Sequence, residues 1–422
     1  FNKTNMNSKR IFKLNMYKVI KECRVCSSKK LKSIINLGNQ PPANSLRKKL
    51  SKQLMVPLNM MRCSDCYTLQ LSATVNPNYL FSKYLWVTGT SDGIKKYRDF
   101  FVKKIKSYHS QSKRKLLEIA SNDGFFLEEF KKNKFTILGV DPAKNIVKKA
   151  NEKKIKTIPL FFNKKTSTLI KKNYFSPDIV VCRNVVPHVE NIHSVIGGIS
   201  NVLATDGKAY IEFHYAENLN KNLHYDYIYH EHIFYFTLMS MKNLLEQHGL
   251  YAIDYFKSPI SGGSLVVVAS KKKDIVSKNL KKLIEYEKNN KINSEIYWKN
   301  FKQKCLKHKI LLRGTLRNFL RKKNKISGYG ASARSSTLLN FCNINNKHLD
   351  LVFDKNILKD NLYTAGSNIM IKQPKIGAFR RTNCIVILAW NFKDEIIRYL
   401  KKEIKFKGFI IIVLPRIKII KC

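Results

Sequence analysis

From residue 114 onward, short apolar runs alternate with segments of helical periodicity, and this alternation restricts the chain to an α/β fold. Apolar runs at 116–119, 136–140, 178–182 and 208–214 predict strands, and the segments between them predict helices. Repeated strand-helix units form a parallel sheet with helices on both faces. Strands predicted at 250–256 and 264–270 close this unit, and a second unit of the same kind begins at Ile326. The chain is therefore predicted to contain two α/β units, each with its own sheet.

Four of the nine cysteines form two Cys-x-x-Cys pairs, Cys23 with Cys26 and Cys63 with Cys66. Two residues between thiolates allow both sulfur atoms to face one ion, and two such pairs complete a closed tetrahedral zinc site. We predict a structural zinc, because a closed site leaves no coordination position for chemistry. The alternative is four unrelated thiols. The segment Leu37–Leu46 is rich in turn-forming residues, which predicts a loop between the pairs.

Residues 271–325 are polar, rich in Lys and periodic, which predicts long helices with one exposed face. The predicted organisation has four parts. They are a zinc-binding module at 16–80, a first α/β domain at 81–270, a helical linker at 271–325 and a C-terminal Rossmann-like α/β domain at 326–422.

A net charge of +50 would ordinarily indicate a nucleic-acid or membrane partner. The basic residues are mostly Lys, however, and are dispersed over predicted helices and loops. The uncharged apolar runs are far shorter than the roughly 18–20 residues of a membrane span. We therefore expect neither a nucleic-acid nor a membrane partner. The sequence shows no secretory signal, which predicts a cytoplasmic protein.

The first βα turn of the central domain follows Glu118 and contains Ala120–Gly124, and the second strand ends at Asp141. An acidic residue after each strand and a turn containing Gly are typical of a βαβ unit that binds a nucleoside. Asp141 would accept hydrogen bonds from both ribose hydroxyls. Because the turn lacks the G-x-G-x-x-G pattern of dinucleotide sites, S-adenosylmethionine is the predicted ligand. An unspecialised βα turn is the alternative.

Two further segments lie at the strand ends where open α/β sheets bind ligands. One follows the fourth strand and contains Asn184 and His188; the other is Tyr229–His232, which reads Tyr-His-Glu-His. This density of titratable groups predicts acid/base chemistry, because an imidazole with a pKa of about 6.5 takes up protons at neutral pH. A metal site and a polar surface loop are the alternatives. The predicted donor-binding residues are Glu118, Ala120, Ser121, Asn122, Gly124, Asp141, Pro142 and Asn184.

These motifs occur in the order found in the three-domain sugar C-methyltransferases, which the chain resembles over nearly its whole length. The other shared segments are Gln40–Ser45, Tyr84–Ser91, Gly139–Ala143, Gly262–Leu265, Gly328–Ala331 and Leu388–Asn391. The resemblance implies a class I methyltransferase Rossmann-like sheet in the centre. It also implies S-adenosylmethionine as the methyl donor, a structural Zn²⁺ and a nucleotide-linked keto-deoxysugar as the small-molecule substrate.

In that family, a His of the Tyr-His-Glu-His segment removes the proton beside a keto group, and His232 matches it. The assisting and substrate-contacting residues match His188, Tyr229, Glu231 and Tyr84. The chemistry is sound, because an enolate makes the carbon nucleophilic and its formation requires a base and a donor at the oxygen. His230 stays as a competing base, because the sequence does not distinguish neighbours in a loop.

The chain departs from the family at Arg334, where Lys is frequent, and at Ala365, where Pro is usual. We expect Arg334 and the turn Gly328–Ala333 to contact the substrate diphosphate; the alternative is a turn that only packs two domains together. Two other functions compete with sugar methylation. One is an RNA methyltransferase with a structural zinc module, and the other is a non-catalytic module with a vestigial donor site. The presence of both the donor loop and the Tyr229–His232 segment argues against the second.

Overall fold

The computed structural model describes residues 16–81, 92–110, 114–259, 262–273 and 276–422. Its N-terminal module is built from antiparallel strands, and one strand of the central domain pairs with them. The strands of the module are β1 (Tyr17–Val19), β2 (Leu31–Gln40), β3 (Val56–Cys63), β4 (Leu69–Leu71) and β5 (Ala73–Val75). β1 pairs with β5, and β11 (Phe234–Tyr235) joins a four-stranded sheet in the order β11-β4-β3-β2.

The loop predicted at Leu37–Leu46 is wrong for its first four residues, because β2 continues to Gln40. The pairing of β2 with β3 shifts register between Asn36 and Asn39, around Gly38 with a φ of 84°. The Gly therefore forms a bulge in a continuing strand, where a turn was expected.

The central sheet has seven strands in the order β12-β13-β10-β9-β6-β7-β8. The five strands from β6 to β10 are parallel, and β13 lies antiparallel between β10 and β12. This sheet confirms the predicted class I methyltransferase architecture. Its strands are β6 (Lys115–Ile119), β7 (Thr136–Val140), β8 (Thr157–Ile158), β9 (Ile179–Arg183), β10 (Lys208–His214), β12 (Tyr251–Ser258) and β13 (Ser264–Ser270).

The helices of this part of the chain lie before, between and after the parallel strands. They span Pro77–Phe81, Asp92–Ser107, Phe125–Lys132, Lys144–Glu152, Lys164–Asn173, Ile192–Val202, Glu217–Lys221 and Leu238–Glu246, with short 3₁₀ turns at Val186–His188 and Tyr225–Tyr227.

Two helices, Lys278–Asn289 and Glu295–Arg321, occupy the predicted linker. The second buries one stripe, whose members recur every three or four positions: Trp298, Phe301, Cys305, His308, Leu312 and Leu316. Such a stripe is the pattern of a helix with one face on a core and the other in solvent. Among the described residues, no helix combines the length and the apolar character needed to cross a bilayer.

The C-terminal domain contains a six-stranded sheet in the order β16-β15-β14-β17-β18-β19, parallel except for β19. The strands are β14 (Ile326–Tyr329), β15 (Leu351–Phe353), β16 (Met370–Lys372), β17 (Cys384–Ile387), β18 (Phe409–Ile412) and β19 (Lys418–Lys421). The helices are Ala333–Phe341 and Lys393–Lys402, and 3₁₀ turns lie at Ile357–Lys359, Ile376–Arg381 and Trp390–Phe392.

One hydrophobic core runs through all four of these parts. It joins Met60 of the N-terminal module, Ile228 of the central domain, Trp298 of the linker and Leu338 of the C-terminal domain. The segment that carries the Tyr-His-Glu-His motif therefore lies between the N-terminal module and the C-terminal domain, and both contact it directly.

Candidate active site

The four cysteines of the two Cys-x-x-Cys pairs come together at one point of the N-terminal module. The Sγ atoms of Cys23 and Cys66 are 3.5 Å apart, as are those of Cys26 and Cys63, and all four lie within 4.8 Å of one another. Tetrahedral ligands with Zn–S bonds of about 2.3 Å have sulfur atoms about 3.8 Å apart, so the cluster fits Zn²⁺. Within the described part of the chain, no other group of three or more potential ligands converges, so a metal at the Tyr-His-Glu-His segment receives no support.

The turn after β6 has a backbone shaped for close approach of a ligand. Ala120, Asn122 and Gly124 have φ values of 53°, 52° and 75°, in the left-handed region. A Cβ at Gly124 would lie 2.7 Å from Cγ2 of Ile155, so this position requires glycine. The turn thus meets the backbone requirement of the predicted donor cradle.

Asp141 follows β7 and is held in place by that turn. Its Oδ2 accepts a hydrogen bond from the backbone N–H of Asn122 at 3.0 Å, and its Oδ1 accepts one from Ala143 at 2.9 Å, across Pro142. Two backbone donors leave lone pairs of the carboxylate available, since an ionised carboxylate accepts about four hydrogen bonds. Burial raises the pKa of Asp141. The geometry fits the binding of two ribose hydroxyls by this carboxylate.

Glu118, at the C-terminal part of β6, is part of a buried ion pair. Its Oε1 accepts hydrogen bonds from Nε of Arg183 at 3.0 Å and from a terminal nitrogen at 2.7 Å, whereas its Oε2 has no partner among the described residues. Arg183 also lies over the ring of Phe126, 3.3 Å from the centroid. Burial raises the pKa of Glu118, and the charge of Arg183 opposes that shift. Asn184, the next residue, has a φ of 53° and donates its N–H to the carbonyl of Glu212.

The predicted donor-binding residues therefore meet at the ends of β6, β7 and β9. We call this region, from Glu118 to Gly124 with Asp141, Arg183 and Asn184, the donor edge. Sequence reasoning missed Arg183 as a site residue, although a charged residue at a strand end was a visible signal. Ser121 Oγ is buried there without a partner among the described residues.

His188 and His232 lie against each other, with ring centroids 4.8 Å apart. Nδ1 of His188 is 2.7 Å from the carbonyl oxygen of Glu231, and Nδ1 of His232 is 2.9 Å from that of Tyr227. A carbonyl oxygen only accepts, so each Nδ1 carries the proton and each neutral ring has its lone pair on Nε2. Burial lowers the pKa of both imidazoles, which favours these neutral forms.

Aromatic rings surround His232 on several sides. Tyr229 and Tyr227 have ring centroids 4.0 and 4.3 Å from that of His232. Burial raises the pKa of Tyr229 well above its usual value, so its phenol keeps its proton. Of the other predicted residues, Glu231 accepts a hydrogen bond from Nδ2 of Asn44 at 2.8 Å. Tyr84 lies outside the described residues.

His230 points to a different place from His232. Its Nε2 is 3.2 Å from the carbonyl oxygen of Val56 in β3, its side chain is buried, and burial lowers its pKa to about 4. No ring contact joins His230 to the His188 and His232 pair among the described residues. The structure therefore separates the two bases that the sequence left as alternatives, with His230 attached to the N-terminal module.

Arg334 is bound to a side chain of the central domain. Its Nε and a terminal nitrogen donate to the carboxylate of Asp226 at 3.0 and 3.1 Å, and Nε1 of Trp390 donates to the same carboxylate at 2.8 Å. The side chain of Asp226 is 1% exposed and that of Arg334 is 12% exposed. This arrangement favours the alternative in which the turn before Arg334 packs two domains together.

His214 and His224 were missed by sequence reasoning, although both lie beside this site. His214 ends β10 and stacks on Tyr227, with centroids 4.0 Å apart and an interplanar angle of 24°. The ring centroid of His224 lies 5.8 Å from that of His214 and 4.8 Å from that of Trp390 in the C-terminal domain. We call the group of His188, His214, His224, Tyr229 and His232 the acceptor edge.

Family models match the chain in three consecutive regions. Residues 23–81 match the model described as "Putative zinc binding domain", residues 93–255 match "Methyltransferase domain" and residues 259–415 match "C-methyltransferase C-terminal domain". The chain is also 29% identical over 410 residues to the C-methyltransferase NovU of Streptomyces niveus, which covers 95% of this chain and 97% of NovU. The chain is therefore an S-adenosylmethionine-dependent C-methyltransferase.

Two solved structures are more distant from this C-methyltransferase. Magnesium protoporphyrin IX methyltransferase from Synechocystis PCC 6803 is 12% identical, with a TM-score of 0.32, over 42% of this chain and 79% of that one. An S-adenosylmethionine-dependent methyltransferase from Clostridium acetobutylicum ATCC 824 is 14% identical, with a TM-score of 0.33, over 46% of this chain and 95% of that one. The predicted methyl donor and zinc-binding module of the C-methyltransferase are confirmed by the matches to the methyltransferase and zinc-binding models and by the four-cysteine cluster.

Proposed function

We propose that this C-methyltransferase methylates the carbon beside a keto group of a nucleotide-linked deoxysugar, with His232 as the base. The observation that carries the proposal is the contact between His188 and His232 in a buried group of rings next to the donor edge. The substrate class comes from the resemblance of the motifs to sugar C-methyltransferases. A cytoplasmic location and the lack of a nucleic-acid partner stay predictions.

His232 has the tautomer that a general base requires. Its Nδ1–H is fixed by the carbonyl of Tyr227, so the lone pair of Nε2 can take the proton from the sugar carbon. The electron pair of the broken C–H bond passes to the keto oxygen and gives an enolate. The resulting imidazolium lies beside His188, whose Nε2 also carries a lone pair.

The enolate oxygen needs a hydrogen-bond donor, and Tyr229 supplies one in this proposal. His188 does not, since its proton is on Nδ1 and is used by the carbonyl of Glu231. Tyr229 keeps its phenol proton because burial raises its pKa. Bound S-adenosylmethionine would supply an electrophilic methyl group, and Asp141 with the turn Ala120–Gly124 would hold its nucleoside part.

Hydrogen exchange at the substrate carbon tests the base directly. Enzyme, keto-sugar nucleotide and S-adenosylhomocysteine are mixed in deuterated water, and incorporation of deuterium is followed by NMR. His232→Ala should lower the exchange rate by about 10²–10⁴-fold. Since the base is active when neutral and its pKa is lowered, wild-type exchange should persist as the pH falls through about 6.5.

His230→Gln is the matched control, because it changes the neighbouring imidazole that bonds to β3. It should retain exchange and donor binding. An exchange rate in His232→Ala equal to that of the wild-type enzyme would reject His232 as the base. No exchange or methyl transfer by the wild-type enzyme with any nucleotide keto-sugar would reject the substrate class.

A further inference from the structure

Two buried imidazoles of the acceptor edge have nitrogen atoms that the described residues do not satisfy. Neither Nδ1 nor Nε2 of His214 has a hydrogen-bond partner among these residues, and neither does Nδ1 of His224. His214 is 4% exposed and His224 is 2% exposed. A buried polar group without a partner costs about 1–3 kcal/mol. Native proteins seldom keep such groups unpaired unless they serve another purpose.

His308 shows how a purely structural imidazole is treated in the same molecule. It is also buried, but its Nδ1 lies 2.9 Å from the hydroxyl of Tyr225 and its Nε2 lies 2.7 Å from the carbonyl of Val413. Both of its nitrogens are thus used within the fold. His214 differs in this respect, although its exposure is nearly the same.

The position of His214 relates it to the base. It is the last residue of β10, the strand next to β9, and so it lies at the ligand-binding edge of the sheet. Its ring stacks on Tyr227, and the ring of Tyr227 in turn contacts His232. The ring of Tyr227 therefore links His214 to the proposed base. The ring of His214 also lies near that of His224, which in turn contacts Trp390 of the C-terminal domain.

We propose that His214, supported by His224, binds a hydroxyl group of the sugar ring and thereby selects the substrate. This inference rests on the proposed function. A neutral imidazole offers one N–H donor and one acceptor, which is the complement of a hydroxyl. A phosphate offers acceptors alone, and the nearby cation, Arg334, is already paired with Asp226. Burial, followed by nearby positive charge, lowers the pKa of His224 to about 4 and lowers that of His214 as well, so both rings are neutral.

The test compares kcat/KM of wild type and His214→Phe for a keto-sugar nucleotide and for analogues that each lack one ring hydroxyl. Phe keeps an aromatic ring on Tyr227 and removes both nitrogens. We expect kcat/KM for the full substrate to fall about 10–100-fold, mainly through KM, with unchanged affinity for S-adenosylhomocysteine. One deoxy analogue should be poor for wild type and should lose nothing further in His214→Phe.

His214→Asn and His214→Gln place a polar atom near Nδ1 or Nε2, and at least one of them should recover part of the loss. If His214→Phe does not fold, kcat/KM of these two variants is compared with that of wild type instead. His308→Phe is the control, which should lower the melting temperature and leave KM unchanged. If the wild-type enzyme is active and kcat/KM is unchanged in all three His214 variants, this inference alone is overturned. The absence of wild-type turnover would overturn the proposed function and this inference with it.

Discussion

The donor edge and the acceptor edge both lie in the central domain but are built differently. At the donor edge, backbone amides and a guanidinium fix the carboxylates, as in the pairs Asn122 with Asp141 and Arg183 with Glu118. At the acceptor edge, imidazole and phenol rings pack against one another, and Arg334 is paired with Asp226. The donor edge thus suits a cationic donor, whereas the acceptor edge suits the transfer of a proton between neutral groups.

If ion pairing holds the donor edge, then Arg183→Met should cause the largest change in stability. It would leave Glu118 buried without its partner, and breaking a buried pair in this way costs about 3–5 kcal/mol. The free energy of unfolding, measured with denaturant, should fall by that amount. Lys242→Met removes a partly exposed pair with Glu246 and should cost at most about 0.5 kcal/mol. Equal losses in the two variants would contradict the role given to the buried pair.

Asp141→Ala should separate the two edges functionally. It removes a charged acceptor from the donor edge, and hydrogen bonds to charged groups contribute about 1.5–3 kcal/mol. Calorimetry should show donor binding weakened by that amount, while the KM of the sugar substrate changes little. The exposed Asp394 provides a control, and Asp394→Ala should leave both quantities unchanged. Donor affinity equal to wild type in Asp141→Ala would exclude this carboxylate from the site.

The smallest effect is expected from Gly262→Ala, which tests the packing of the acceptor edge. A Cβ at Gly262 would lie 3.0 Å from Cε1 of His224, and the residue has a φ of 83°. Gly249 has a φ of 67° and nothing within 4 Å, so Gly249→Ala carries the same kind of backbone strain without the contact. Each variant should lose about 1–2 kcal/mol of stability. A decrease in kcat/KM is expected in Gly262→Ala alone, and an equal decrease in both would show that His224 is not involved.

Patterns within short stretches of the sequence were sufficient to predict individual strands and the metal-binding cysteines. The strand predicted at 208–214 is β10, and the spacing of the cysteines predicted their cluster. The partner of Glu118 was not predictable in this way, because Arg183 reaches it only through the pairing of β6 with β9. His214 and His224 carry no spacing signal, since their surroundings include Trp390 from the other α/β domain.

The strand β11 and the residues before it contact both outer domains of the molecule. β11 extends the sheet of the N-terminal module, His230 bonds to Val56 of that module, and Asp226 is held by Arg334 and Trp390 of the C-terminal domain. A chimaera that exchanged either outer domain would replace contacts of the segment that carries His232. We therefore expect point substitutions at the acceptor edge to preserve the position of His232 better than exchange of a whole domain does.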